Sequence, residues 1–236
     1  MNIVLVHGVL GAHIFAGKPY FNGVAEHLRT RFGANVLETD AKPIGTVKVR
    51  SKELREQIIR HFGTAPGQQL IIIAHSMGGL DTRQMLTDHP DMAPQVRSVT
   101  CIATPHHGSP IATLLNVANP LRFDDFNAAR DLSEKGARAI DASCPDQPNI
   151  VYREVVGIGR EGKQRTAKFF ELLSMVIKEK ENDGAVPASS ALAGRTLFER
   201  VHADHADLVG HDVDDAPHFR PRAYDHLPLY ERIAQS

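Results

Sequence analysis

The segment at residues 74–79, Ala-His-Ser-Met-Gly-Gly, has the features of a reactive serine. It joins an apolar run at residues 70–74 to a stretch with helical spacing, so Ser76 occupies a sharp strand-to-helix turn. Such a turn lifts the hydroxyl above the end of the sheet and needs small neighbours, because the helix begins at once. Ala74 replaces the first glycine of the usual Gly-x-Ser-x-Gly pattern, which is a mild departure. The segment predicts a nucleophile at Ser76; the alternative is a serine that only caps the helix.

A serine hydroxyl becomes nucleophilic when a base removes its proton and a carboxylate orients that base. With a serine on this kind of turn, the acid and then the histidine follow along the chain. Asp183, within Asn-Asp-Gly, is the candidate acid, although the same residues would also form a plain turn. His205 is the candidate base, in a polar loop beyond the last predicted strand. Spacing alone does not separate it from His202, His211 and His218.

Ester and amide chemistry at a serine also needs N–H donors for the oxyanion. The turn that carries Ser76 directs the backbone N–H of Met77 to that place. The second donor is expected in the loop after the first strand, where the backbone N–H of Val9 follows His7 and Gly8. We interpret His7 as a hydrogen-bonding organiser of this loop, since it precedes the donor. The predicted oxyanion hole is therefore made by Val9 and Met77.

Short apolar runs alternate with amphipathic segments along the chain, which is typical of a doubly wound, mostly parallel α/β sheet. The run at residues 70–74 lacks polar alternation and predicts a central strand covered on both faces. Strands are predicted at residues 3–6, 35–38, 70–74, 99–103, 150–156 and 197–202, and helices at 21–32, 47–62, 78–88 and 169–177. The length predicts one domain, residues 1–236, since such domains reach roughly 250 residues.

Residues 109–149 interrupt this rhythm with Pro, Asn and Asp among short apolar clusters. Their apolar side chains are more numerous than a surface loop needs. We expect this segment to be a lid or the wall of an acyl pocket that opens over the site. A small satellite core is an equally good interpretation. The apolar residues concerned are Ile111, Leu114, Leu115, Val117, Leu121, Phe123 and Phe126.

Composition excludes several classes of function. A formal net charge of −1, from 27 basic and 28 acidic residues, argues against a nucleic-acid binder. The longest apolar run is too short to cross a bilayer, and the first residues lack a basic leader and a cleavage site. Cys101 and Cys144 are expected to be unpaired thiols. A cytoplasmic location is the expectation, or secretion if a leader was removed.

These motifs together resemble the bacterial true lipases of family I in the α/β-hydrolase superfamily. The resemblance implies an α/β-hydrolase fold with an inserted lid or cap segment. It implies Ser76 as nucleophile, Asp183 as acid and His205 as base, with Val9 and Met77 as oxyanion donors, and so it selects His205 from its rivals. The matching segments, in the family's order, are residues 4–11, 74–79, 103–109, 132–137, 182–184 and 205–207.

The chain departs from this family in two respects. The family often holds calcium near the catalytic histidine, and Asp207 matches one ligand, but His211 replaces an oxygen ligand. The family disulfide is missing, because Ser189 and Ser190 stand where a cysteine is expected. We expect neither a metal nor a cofactor, and an intracellular esterase rather than an exported fat-digesting enzyme. A zinc site remains an alternative for the cluster of His202, Asp204, His205, Asp207, His211 and Asp212.

The sequence thus predicts a serine carboxylic ester hydrolase that works through an acyl-enzyme. Its expected partner is a small-molecule or lipid ester, with a transient contact at a lipid interface as an option; no nucleic acid is expected, and the oligomeric state stays open. Residues 103–108 also resemble GPI inositol-deacylase-like proteins, which makes an acyltransferase or lipid deacylase the alternative. A non-catalytic binding module on the same scaffold is the third interpretation.

Overall fold

The computed structural model describes residues 1–11, 18–65, 67–117, 127–160, 171, 173–212 and 224–236. Within these ranges six strands form one sheet in the order β2-β1-β3-β4-β5-β6, and each neighbouring pair is parallel. The strands are β1 (Asn2–Val6), β2 (Asn35–Glu38), β3 (Leu70–His75), β4 (Val96–Ile102), β5 (Val151–Gly157) and β6 (Thr196–Val201). The predicted doubly wound sheet is confirmed.

Helices cover both faces of the sheet. The main ones are α1 (Val24–Phe32), α2 (Val47–Phe62), α3 (Met77–Asp88), α4 (Pro110–Val117), α5 (Asn127–Leu132) and α6 (Glu134–Ser143). Two further helices span Ala188–Ala191 and Leu227–Gln235. Segments of 3-10 helix span Pro90–Gln95 and Asp207–Val209. None of the helices in the described ranges is both long and apolar enough to cross a membrane.

The strands alternate their side chains between two cores. Ile71 and Ile73 of β3 face a core shared with α1 and the helix Leu227–Gln235. Ile72 faces the opposite core, where α2 and α3 pack. All six residues of β3 are buried, as expected for a central strand covered on both sides. Because parallel strands end at the same edge, the loops after β1, β3, β4, β5 and β6 meet above the sheet.

Several element boundaries differ from the sequence prediction. Helix α1 begins at Val24 because Gly23 takes a left-handed conformation with φ 76°. Strand β4 begins at Val96 rather than residue 99, and its Ser98 pairs with Ile71 of β3. Much of the helix predicted at 169–177 lies outside the described residues. Its described part ends in turn geometry after Ser174, where Ile177 N donates to Ser174 O at 2.9 Å.

The segment at 109–149 contains α4, α5 and α6, while residues 118–126 lie outside the described part; they include Leu121, Phe123 and Phe126. Ala112, Ala128 and Leu132 pack with Met77 and Leu80 of α3 in a separate small core. The same helices also turn side chains to the cavity described below. The segment therefore contributes both to a small core and to the lining of that cavity.

Candidate active site

Ser76 lies on the turn between β3 and α3, as the sequence predicts. Its backbone has φ 55° and ψ −130°, a conformation that L-residues rarely adopt. The turn is held by Ser76 N, which donates to Ile102 O at 2.9 Å. A Cβ at Gly78 would stand 2.5 Å from Val6 O, so the start of α3 needs a glycine to approach β1. The strained turn is thus fixed by close packing on both sides.

Asp183 and His205 are joined by a short hydrogen bond. His205 Nδ1 lies 2.6 Å from Asp183 Oδ2, and the backbone N–H of His205 donates to Asp183 O at 2.9 Å. The other carboxylate oxygen of Asp183 accepts from Ala185 N at 2.9 Å and Val186 N at 2.7 Å. With Nδ1–H donated to the carboxylate, the neutral ring carries its lone pair on Nε2. The predicted acid and base are therefore brought together, although 22 residues separate them.

His75, which precedes the serine, lies against the candidate base with the two rings tilted by 44°. The ring centroids of His75 and His205 are 4.4 Å apart, and the Tyr20 hydroxyl lies 2.8 Å from His75 Nδ1. Burial and the neighbouring charge of His205 hold the pKa of His75 well below its usual range. His75 is therefore neutral at pH 7, so it does not repel a proton on the neighbouring His205 ring.

The loop after β1 is held by hydrogen bonds to its carbonyls. Ala41 N donates to His7 Nε2 at 2.8 Å, so His7 carries its proton on Nδ1, which lies 2.7 Å from Gly8 O. Arg50 donates to His7 O at 2.7 Å and to Gly8 O at 3.2 Å. In a trans peptide the N–H points away from the C=O, so the Val9 N–H faces away from these donors.

Arg50 and Asp81 form a fully buried ion pair beneath this loop. Arg50 Nε donates to Asp81 Oδ2 at 2.8 Å, and both side chains are 0% exposed. Burial raises the pKa of Asp81 to about 7 against the opposing effect of Arg50. Burial and Arg50 lower the pKa of His7 to about 4. These contacts agree with the interpretation of His7 as an organiser of the loop.

A cavity of about 650 Å³ opens over these groups. Its polar floor consists of residues 7–9, 75–77, 183 and 205, of which Val9, His75, Ser76 and His205 line the cavity directly. Its apolar wall includes Ile111, Ala112 and Leu115 of α4 and Ala128, Ala129 and Leu132 of α5. The Gly8 backbone lies close to the serine, since a Cβ there would stand 2.7 Å from Ser76 Cβ. The cavity thus places an apolar chamber beside a hydroxyl and an imidazole.

The structure separates His205 from its rivals. His202 is exposed at the end of β6. His211 is buried with Nε2 2.9 Å from Pro19 O and 3.0 Å from Tyr20 O, so its ring binds backbone carbonyls. His218 lies outside the described residues. Of the described candidates, only His205 both lines the cavity and contacts a carboxylate there.

The acidic residues around His205 contact an arginine. Asp207, the residue matched to a calcium ligand, receives two hydrogen bonds from Arg160, at 2.7 and 2.8 Å. Over the described ranges no group of three His, Cys, Asp or Glu side chains is arranged to hold a metal. Cys101 and Cys144 are both free and buried.

A second buried polar cluster lies at the far side of α6. His106 is 0% exposed, with Nδ1 3.4 Å from Asp141 Oδ1 and Nε2 3.8 Å from Glu154 Oε1. Arg83 contacts the same Asp141 carboxylate, and Arg195 lies 3.3 Å from it. Burial lowers the pKa of His106 to about 4, although Asp141 opposes the shift. This cluster attaches α6 to the sheet through buried charged and polar groups.

Sequence reasoning missed Tyr20, Arg50 and Arg160. Arg50 had a readable signal, because it lies on the same helical stripe as Val47, Leu54 and Ile58, all of them buried. A charged residue within an apolar stripe points to a buried partner. Arg160 had none, since its partner Asp207 is 47 residues further along the chain.

Comparison with known proteins finds sequence similarity to triacylglycerol lipases. Residues 52–137 match the family model described as a PGAP1-like alpha/beta domain. A triacylglycerol lipase of Vibrio cholerae is 34% identical over 118 residues, which cover 50% of this chain and 36% of that protein. Triacylglycerol lipase 2 of Saccharomyces cerevisiae is 32% identical over 212 residues, 80% of this chain and 62% of that protein. The chain thus spans between about a third and two thirds of these relatives.

Solved structures share the whole fold. A metagenomic carboxyl esterase, MGS0156, superposes with a TM-score of 0.83 at 20% sequence identity. The superposition covers 100% of this chain and 74% of the esterase chain. The Staphylococcus hyicus lipase superposes with a TM-score of 0.75 at 18% sequence identity. This superposition covers 99% of this chain and 94% of the lipase chain. With the six-stranded parallel sheet, these matches show that the chain has an α/β-hydrolase fold, and its sequence is similar to those of triacylglycerol lipases.

Proposed function

We propose that this chain is a serine carboxylic ester hydrolase in which Ser76, His205 and Asp183 form a catalytic triad. The observation that carries the proposal is the 2.6 Å contact between His205 Nδ1 and Asp183, beside a strained serine in the same cavity. Asp183 holds the imidazole in the tautomer whose Nε2 accepts a proton, which is the form that a base for Ser76 requires.

The reaction proceeds in two halves. Ser76 Oγ attacks the ester carbonyl carbon and gives its proton to His205 Nε2, and the carbonyl electrons move to oxygen. The C–O bond to the alcohol then breaks as Nε2 returns the proton to the leaving oxygen, which leaves the acyl group on Ser76. Water next gives a proton to Nε2 and attacks the acyl carbon. The bond to Ser76 Oγ then breaks as Nε2 returns the proton to Oγ, which releases the acid and restores the serine hydroxyl.

The oxyanion is stabilised by the N–H groups of Val9 and Met77. The Met77 N–H begins α3, where the helix dipole also favours negative charge. The Val9 N–H is held by the contacts of the preceding carbonyl to His7 and Arg50. One such donor is worth roughly 3 kcal/mol of transition-state stabilisation.

The cavity supports an acyl ester as substrate. Its wall from α4 and α5 offers alkyl side chains, which bind a hydrocarbon chain through burial of apolar surface. The relatives named triacylglycerol lipases agree with a lipid ester. We place the acyl chain in this cavity, with residues 109–149 as its insertion within one domain of residues 1–236.

A fluorophosphonate probe tests the nucleophile, because it bonds covalently to activated serines. We expect labelling of one peptide, the one that contains Ser76. We also expect Ser76→Ala to lose both the label and nitrophenyl-ester hydrolysis, the latter by at least about 10³-fold. Ser143→Ala, at the exposed end of α6, is the matched control and should keep both. Parent-level hydrolysis in Ser76→Ala would reject the proposal.

A second candidate is acyl transfer or deacylation of a lipid on the same scaffold. It is favoured by the match to the PGAP1-like domain, which includes residues 103–108. Both reactions share the acyl-enzyme and differ in what attacks it. Hydrolysis in the presence of a primary alcohol, followed by product analysis, separates them: a new ester as main product supports transfer, and free acid supports hydrolysis.

A further inference from the structure

Arg160 is a nearly buried cation in the loop that follows β5. Its side chain is 11% exposed. Nε lies 2.7 Å from Asp207 Oδ2 and a terminal nitrogen lies 2.8 Å from Oδ1, so the two groups form a bidentate pair. Planar guanidinium and carboxylate groups fit each other in this way, and the pair is stronger than one with a single contact.

The same guanidinium also contacts the other acids of this loop. It lies 3.2 Å from Asp204 Oδ2 and 3.6 Å from Asp212 Oδ1. The Arg160 guanidinium therefore faces three carboxylates, one immediately before His205 and two after it. Asp204 is 0% exposed and Asp207 4% exposed. Buried carboxylates at this separation repel each other strongly unless a cation lies between them.

These carboxylates also fold the backbone around His205. Asp204 Oδ1 accepts from Ala206 N at 3.0 Å and from Asp207 N at 2.9 Å. Asp207 Oδ2, which Arg160 contacts, accepts from Asp204 N at 3.0 Å. The loop at residues 204–207 thus closes on itself through the oxygens that the guanidinium holds.

The loop of Arg160 is itself tied to the sheet. Ile158 N donates to Val201 O at 3.0 Å, and Gly159 N donates to Ala203 O at 3.1 Å. Arg160 therefore projects from an extension of β5 that hydrogen-bonds to the end of β6, where the His205 loop begins. The chain of contacts runs from the sheet through Arg160 to Asp204 and Asp207, which lie on either side of His205 in the sequence.

We propose that Arg160 is a positioning residue for His205: its guanidinium supplies the positive charge that holds the acidic loop of residues 204–212 in the shape in which the imidazole meets Asp183. This inference rests on the proposed function, because it assigns His205 the role of the base. Arg160 lies outside the cavity lining, so it acts through the loop and not on the substrate.

The test compares Arg160→Met, of similar length but uncharged, with Arg160→Lys. For Arg160→Met we expect kcat on a nitrophenyl ester to fall about 10- to 100-fold, because misplacement of a catalytic group by about 1 Å costs that much. KM should stay within about twofold, since the cavity is unchanged, and fluorophosphonate labelling should slow in parallel with kcat. Arg160→Lys should recover part of the rate, because it keeps the charge without the bidentate geometry.

The pH profile supplies a readout that a merely structural role would not change. Without Arg160 the three carboxylates stabilise the protonated imidazole, so the acidic limb of kcat/KM should move to higher pH. Asp183 and His75 also face His205 and are unchanged in this variant. The double variant Arg160→Met with Asp207→Asn lacks one of the three negative charges. Its acidic limb of kcat/KM should therefore lie between that of Arg160→Met and that of the parent.

Arg232→Met is the matched control, since Arg232 forms a two-oxygen pair with Glu199 away from the cavity. It should keep the parent kcat and pH profile. If folded Arg160→Met shows the parent kcat, labelling rate and acidic limb, the positioning role is rejected while the proposed hydrolase stands. If the parent protein itself fails to label at Ser76, the proposed function is what fails.

Discussion

The polar floor and the apolar wall of the cavity differ in how many contacts fix each group. In the floor, Asp183 accepts three hydrogen bonds through its carboxylate, and Gly8 O contacts both His7 and Arg50. In the wall, Leu115 is 47% exposed. Proton transfer depends on positions within a fraction of an ångström, whereas an alkyl chain needs only apolar surface. The cavity is therefore rigid where bonds change and loosely packed where a chain would lie.

The largest expected effect comes from removing the charge on Asp183. In Asp183→Asn the amide can donate toward His205 Nδ1, which favours the tautomer with its proton on Nε2. We expect kcat/KM on a nitrophenyl ester to fall about 10⁴-fold while the protein stays folded. Asp88→Asn, at the exposed end of α3, is the matched control and should keep the parent rate. A loss under about tenfold would show that Asp183 does not orient the base.

The second effect concerns the buried ion pair of Arg50 and Asp81 beneath the polar floor. Arg50→Met leaves Asp81 buried without its partner, which should lower the free energy of unfolding by about 3–5 kcal/mol. Urea denaturation measures this loss. Replacing both residues, Arg50→Met with Asp81→Leu, should restore most of the stability because no buried charge is left.

The same double variant separates stability from catalysis. Gly8 O has lost a donor, so the Val9 N–H is less firmly held and kcat should remain at least several-fold low. A stable double variant with the parent kcat would show that the Arg50 contacts to the loop carbonyls do not serve catalysis.

Floor and wall also differ in how well the sequence predicted them. The position of Ser76 in the floor can be predicted from local sequence. An apolar strand ends, a helix begins, and the sharp turn between them directs the serine side chain above the end of the sheet. Helix α2 was predicted with the bounds that the structure shows, since its apolar stripe has a clear period. The roles of Asp183 and His205 were predicted from the order of motifs shared with the family I lipases. Their spacing in the sequence does not show that the two side chains are in contact. Arg160 stayed hidden because only the fold brings it to Asp207.

The wall was harder to predict for a physical reason. Helices α4 and α5 are short, and each divides its apolar residues between a small core and the cavity. A single apolar stripe predicts burial on one side, but it does not say whether the neighbour is protein or an open chamber. The sequence therefore left the lid and the satellite core as equal alternatives.

The third effect is a pH dependence of stability at α6, the helix that packs against the wall helices α4 and α5. His106 has a pKa of about 4 in the fold, against about 6.5 when unfolded, so between these values only the unfolded chain takes up the proton. This group's contribution is complete above pH 6.5 and is lost as pH falls toward 4. The slope is about 1.4 kcal/mol per pH unit for one proton.

His106→Phe should remove this part of the slope, which urea denaturation between pH 4.5 and pH 7.5 measures. His61→Phe is the control, since His61 is exposed, and it should leave the slope unchanged. An unchanged slope in His106→Phe would mean that His106 is not the neutral anchor of α6. A smaller slope would show that α6, which packs against the wall helices, is held to the sheet by buried polar groups.

The smallest effect probes the wall itself. Leu115 lines the cavity and is about half exposed, so Leu115→Ser should change stability by no more than about 0.5 kcal/mol. For an octanoate ester we expect kcat/KM to fall several-fold, about 1 kcal/mol, because the chain loses apolar contact area. For an acetate ester, too short to reach the wall, the rate should stay within about twofold. This split would assign the acyl chain to the wall.

The matched control for this split is Val117→Ser, on the same helix but 73% exposed and outside the cavity lining. It removes a similar apolar group from α4, so any general effect of loosening the helix would appear in it too. If Leu115→Ser lowers the acetate and octanoate rates equally, the wall supports the floor and does not bind the chain. If only the octanoate rate falls and Val117→Ser leaves both unchanged, chain binding and bond breaking belong to separate parts of the cavity, because each then responds to its own substitutions.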